Sequence, residues 1–253
     1  FSKILKLTTV VSGTNKFPII AARLIAIIMV TEEVKMGIFQ KSDIGAQAAW
    51  KGFSSQTLYI SSRLISDKNG YEYYPEDVED LVVKKDGVVV EAVQVKNISA
   101  DLTLSSLAAT KTSKGGEGFF NRMCSLHAQN PSFHRIKVVY FNTLGVELQE
   151  MQSRKAVTKK ALTKRLVDKH GLSESEAVWL IDSLCFEKVN LDELDLNIQT
   201  QISDYVPVMS APALAKDLLI QYISVLSKSK GYTTLKMWQD KIHEIGTNIA
   251  AID

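Results

Sequence analysis

Hydrophobic positions change their period several times along the chain. From Asp43, the residues Ala46, Ala49, Phe53, Ile60 and Leu64 recur mostly three or four apart, which predicts a helix reaching about Ile65 with Asp43 as its N-cap. Gln56 falls on the same face as Phe53 and Ile60, so its amide points toward the interior and requires a partner: backbone, or an active centre. After the turn-forming Asp67-Lys68-Asn69-Gly70 come two runs rich in β-branched residues, Val78 to Lys85 and Val88 to Lys96, joined at Asp86-Gly87. This is the strongest hairpin signal in the chain. Leu102 to Leu107 begins a helix or a loop, Phe119 to Gln129 reads as a helix, and Ile136 to Asn142 as a short buried strand. Beyond Gln149 nearly every segment reads as helical, including Lys155 to His170, Ser173 to Phe186 and Ala213 to Lys228. Ser173 and Glu176 form a capping box, and Asp204 to Pro212, with two prolines, is expected to connect helical groups. The succession predicts mixed α/β layers, with a core over 36–150 and a helical subdomain or linker over 151–253.

The first residues differ in character. Phe17 to Val30 is an apolar run that contains Arg23 and is too short to span a bilayer, so no membrane association is expected. A native start near Met36 is expected, with 1–35 as an N-terminal extension that is either upstream sequence or an extra helix, and the ending Ala250-Ala251-Ile252-Asp253 suggests a longer protein.

With 253 residues and 45% hydrophobic content, the chain can bury a sizeable core. Its 30 basic and 28 acidic residues leave a net charge of +2, so any nucleic-acid surface must be a local patch. The candidate patch is Arg154, Lys155, Lys159, Lys160, Lys164, Arg165 and Lys169, residues that a merely solvated helix face would also carry. Cys124 and Cys185 form no CxxC or Cys/His cluster, which argues against a disulfide framework and a thiolate zinc site and fits a reducing cytoplasm. The four histidines show no ligand spacing, and Lys111 to Gly118 lacks the residue order of a phosphate-binding P-loop.

Chemistry concentrates on the hairpin. Hydrolysis of a phosphodiester with a hard divalent ion needs oxygen ligands and a group that positions water and offsets phosphate charge. Asp80, Gln94 and Lys96 are of those types, and alternation puts Gln94 and Lys96 on one face of their strand. A two-residue loop at Asp86-Gly87 would set Asp80 opposite Val93 and bring Glu79 to that face instead. A three-residue loop Lys85-Asp86-Gly87, with Gly87 left-handed in a bulge, puts Asp80 on the face of Gln94. A surface ion pair between Asp80 and Lys96 is the structural alternative.

Asp80 followed by hydrophobic residues, then Gln94-Val95-Lys96, resembles the PD-(D/E)xK nucleases in their QxK variant. GAQAAWKGFSSQ (45–56), PEDVEDLVV (75–83) and VQVK (93–96) are more narrowly similar to the nuclease domain of bacterial anti-phage effectors, which is fused to a SAVED nucleotide sensor or a STAND-type ATPase. The resemblance runs from about Gly45 to Asn142, more loosely beyond. It implies a restriction-endonuclease-like mixed sheet flanked by helices. It also implies an endonuclease that cuts double-stranded DNA with low sequence specificity, as effector of an anti-phage protein activated by homo-oligomerisation through a fused or associated sensor. Asp80 would be the metal-binding acid, Gln94 the second ligand through its carbonyl, Lys96 the water-positioning cation, and Gln56 the helix glutamine of the motif. A neutral ligand at 94 departs from the parent motif and is expected to weaken metal binding unless Glu76 or Glu79 adds charge, so millimolar Mg2+ or Mn2+ is expected. A sequence-specific restriction-type nuclease and a catalytically inactive DNA-binding or oligomerisation module are the alternatives.

Overall fold

The computed structural model describes residues 44–109, 116–153, 156–205 and 212–250. The apolar run at 17–30, Met36, Asp43, most of the 111–118 loop, Arg154, Lys155 and Pro207 lie outside the described residues. Two compact units are present, Phe1–Gln47 and Ala48–Asp253; apart from Ile44 to Gln47, everything described belongs to the second.

Helix α1 (Ile44–Ile65) is buried in its second half, where Tyr59, Ile60, Leu64 and Ile65 are inaccessible, whereas Trp50 nearer its start is exposed. Five strands follow along the chain: β1 (Glu72–Pro75), β2 (Leu81–Lys85), β3 (Val88–Lys96), β4 (Ile136–Tyr140) and β5 (Leu184–Lys188). They form one sheet in that spatial order, antiparallel from β1 to β3 and parallel from β3 to β5. Alternation in β3 divides the interior in two: Ala92 belongs to one apolar cluster, Val93 and Val95 to the other. The first cluster is covered by α2 (Leu104–Ala108), α3 (Phe119–Gln129), α4 (Val146–Ser153), α5 (Ala156–His170) and α6 (Glu174–Ser183). The second is covered by α1 with α7 (Leu191–Tyr205), α8 (Pro212–Ser229) and α9 (Leu235–Ala250). The result is α/β, a mixed sheet with helices on both faces, as the pattern predicts. Among the described residues no helix is long and apolar enough to cross a membrane.

The hairpin reaches its register by a different route from the predicted one. Asp86 (φ 51°) and Gly87 (φ 77°) are both left-handed and close a two-residue loop, with Lys85 opposite Val88. The expected three-residue loop does not form. Instead the pairing shifts further in, where Lys84 faces Val89 but Val83 faces Glu91, leaving Val90 as the extra residue of a bulge. From there Leu81 pairs with Val93, and continuing the same register brings Asp80 opposite Gln94.

Two further boundaries differ. The run from Val78 is strand only from Leu81, because 76–80 turns. The helix expected through Phe186 stops at Ser183, and Leu184-Cys185-Phe186-Glu187-Lys188 joins the sheet beside β4. Residues after 150 thus supply an edge strand and much of both apolar clusters to the same unit as the hairpin.

Candidate active site

Between β1 and β2 the chain reverses through Glu76, whose φ is 55°, and the turn closes with the Glu76 amide donating to the Asp80 carbonyl at 3.1 Å. Gln56 on α1 holds this turn from the side: its Nε2 donates to Glu76 Oε1 at 2.7 Å and to the Asp80 carbonyl at 3.1 Å. The inward-facing amide that helix periodicity predicts therefore exists, and its partners are a carboxylate and a backbone oxygen of the loop that carries Asp80.

Asp80 is 3% exposed, and a carboxylate so buried requires donors. Its Oδ2 accepts from the Val95 amide at 2.8 Å and from Gln94 Nε2. Gln94 itself is 1% exposed, and its Oε1 is buried with no hydrogen-bond partner. An acceptor left that way costs about 1–3 kcal/mol, and it lies on the side chain that touches the Asp80 carboxylate. Lys96, half-buried, shares the strand face of Gln94 two residues on. Just beyond it Asn97 Nδ2 donates to Ser55 Oγ at 2.5 Å, tying the end of β3 to α1 next to Gln56.

Glu79 goes elsewhere. Its carboxylate, fully buried, is bound by Arg122 on α3, with Nε at 2.6 Å and Nη2 at 2.5 Å from Oε1. The structure thus brings Asp80, Gln94 and Gln56 together and pairs Glu79 with Arg122, while Gln56 joins the Glu76 carboxylate to the backbone carbonyl of Asp80. Among the described residues no three His, Cys, Asp or Glu side chains converge as a metal cage. The oxygens of Asp80 and Gln94 are nonetheless of the hard type that Mg2+ and Mn2+ accept, and the orphaned Gln94 Oε1 is the atom an ion would satisfy. The residues present fit such an ion.

The basic segment is partly spoken for. On α5, Lys159 pairs with Asp182 at 2.5 Å and Arg165 with Glu147, while Lys160 and Lys164 are exposed one turn apart.

No family model matches the chain, and no curated protein matches it. Solved structures do. The Acinetobacter baumannii Cap4 SAVED/CARF-domain containing receptor with the cyclic trinucleotide 3'3'3'-cAAA aligns with 18% identity and a TM-score of 0.49, over 76% of this chain and 44% of that one. The Moraxella osloensis Cap4 SAVED/CARF-domain containing receptor aligns with 18% identity and a TM-score of 0.40, over 72% and 44%. This chain spans less than half the length of those receptors.

Two members of the site escape sequence reading. Arg122 sits in a helix between Phe119 and Leu126, on the buried face; a cation at an apolar position is the signal that a buried carboxylate must meet it. Asn97 follows the lysine of the QxK run and carries no signal of its own.

Proposed function

We propose that this chain is a metal-dependent endonuclease domain of restriction-endonuclease-like type that cleaves double-stranded DNA with low sequence specificity. The observation that carries the reading is the contact of the buried Asp80 carboxylate with Gln94, whose oxygen lacks a partner, next to Lys96 on the same strand. Asp80 and Gln94 would hold Mg2+ or Mn2+. When bound, the ion supplies Lewis-acid stabilisation of charge on the scissile phosphate. Gln56 fixes the carbonyl of Asp80 and the carboxylate of Glu76, so the acid is held in place before substrate arrives. Lys96 orients the attacking water and offsets phosphate charge, and Lys160 and Lys164 are available for backbone phosphates. The remaining part of the proposal, an anti-phage effector switched on by homo-oligomerisation through a fused or associated sensor in the cytoplasm, rests on the sequence resemblance.

The test is incubation of supercoiled plasmid with wild type, Asp80→Ala and Lys96→Ala, in Mg2+ or EDTA. Degradation to a smear that needs Mg2+ and is lost in both variants is expected. Discrete fragments would favour a sequence-specific enzyme. A second reading has one observation in its favour: two donors on Asp80 Oδ2 are also what a purely structural carboxylate needs. DNA binding that needs no metal, with no cleavage at any protein concentration, would establish an inactive binding module.

A further inference from the structure

The buried ion pair beside the site has a use of its own, which rests on the nuclease reading. We propose that Arg122 is a positioning residue: by gripping Glu79 it fixes the neighbouring Asp80 so that its carboxylate meets Val95 and Gln94.

Asp80 lies at the end of the turn, one residue ahead of β2, so its side-chain direction is set by what holds 76–80. Gln56 grips that segment at the Asp80 carbonyl from the α1 side, and Arg122 grips it one residue earlier from α3. The grip is directional through two hydrogen bonds, from Nε and Nη1, with Nη2 in ion-pair contact. Nε and Nη2 lie 2.6 and 2.5 Å from Glu79 Oε1, and Nη1 donates at 2.5 Å to the carbonyl of Glu117, just ahead of α3. The guanidinium is 5% exposed and Glu79 is fully buried. Removing two charges from water is expensive, and a packed apolar pair would usually stabilise a fold as well, so the pair contributes geometry more than stability. A lysine could keep the charge at 122 but not the planar fork that reaches Glu79 and Glu117 together.

The readout is Mn2+ binding by the whole chain, followed as loss of the free-ion electron paramagnetic signal, with thermal melting alongside. Arg122→Lys is expected to keep a cooperative melt while binding Mn2+ about tenfold or more weakly, the size of loss usual when a residue behind a metal ligand is removed. If that variant does not fold, the double variant Glu79→Gln with Arg122→Met, which removes both buried charges, takes its place with the same expectation. Lower melting with wild-type Mn2+ affinity in a folded variant would make Arg122 structural only and overturn the inference, leaving the metal site standing. No Mn2+ binding by the wild type at millimolar ion would overturn the metal reading and this inference with it.

Discussion

At the residue scale the site turns on one amide. Gln94 donates to Asp80 through Nε2, and its oxygen, on the other side of a group of nearly symmetric shape, has no partner. Gln94→Glu sets two buried carboxylates in contact. Without a divalent ion one of them must protonate or repel the other, and the variant is expected to be destabilised by about 1–3 kcal/mol. Mg2+ should reverse this, so the rise in melting temperature on adding Mg2+ should be larger in Gln94→Glu than in wild type. An equal rise in both proteins would mean that no ion binds between these residues. The shared faces of Gln94 with Lys96 and of Gln56 with Phe53 and Ile60 were legible because strand and helix periods say which residues lie together, whereas Asp80 reaches the face of Gln94 through the bulge at Val90 and not through the predicted loop. The place of Glu79 was not, because its partner Arg122 is 43 residues away and no local period encodes that distance.

At the scale of elements, legibility followed the strength of local signals. The span of α3 follows from its apolar spacing, and Ser173 begins α6 as a capping box, its hydroxyl accepting from the Glu176 amide while Glu176 accepts from the Ser173 amide. β5 was hidden because a short apolar run such as Leu184-Cys185-Phe186 suits helix or strand equally, and only pairing with β4 decides it. The bulge at Val90 was hidden for a related reason: a two-residue and a three-residue loop are both compatible with Asp86-Gly87, and the extra residue went into the strand instead. The capping box makes a prediction at this scale. Hydrogen bonds from the Ser173 hydroxyl and amide hold the Glu176 carboxyl below its usual range. A carboxyl lowered by folding adds stability above its unfolded pKa and loses it as pH falls through the folded one. Ser173→Ala should therefore lower stability by about 1 kcal/mol at neutral pH. The gap to wild type should narrow once pH drops below about 4. Denaturant melts at both pH values measure it, and a gap independent of pH would mean that the carboxylate has no part in the cap.

For the whole molecule the question is whether the hairpin and its site can exist without the helical half. The hydrophobic pattern predicts a boundary near 150 because strands cluster before it and helices after it, and composition cannot tell a helix that covers a sheet from one that leads away from it. Packing can. On one face Leu162, Leu166, Leu180, Ile181 and Leu184 close the cluster that contains Ala92. On the other, Ile198, Ile202, Leu219, Ile223 and Trp238 cover Val93, Val95 and the buried side of α1. Each such side chain contributes about 1.5–3 kcal/mol of burial. Losing all of them exceeds the roughly 5–15 kcal/mol by which a domain is stable. A chain cut after Glu150 would also expose the edge of β4 that β5 covers, an unpaired apolar strand open to pairing with other chains. The truncated chain is therefore expected to show no cooperative thermal transition by circular dichroism and to aggregate, whereas the full chain is expected to melt in one step. A cooperative transition in the truncated chain, with plasmid cleavage or Mn2+ binding retained, would show that the chain up to Glu150 folds without the later helices and that those helices serve another purpose.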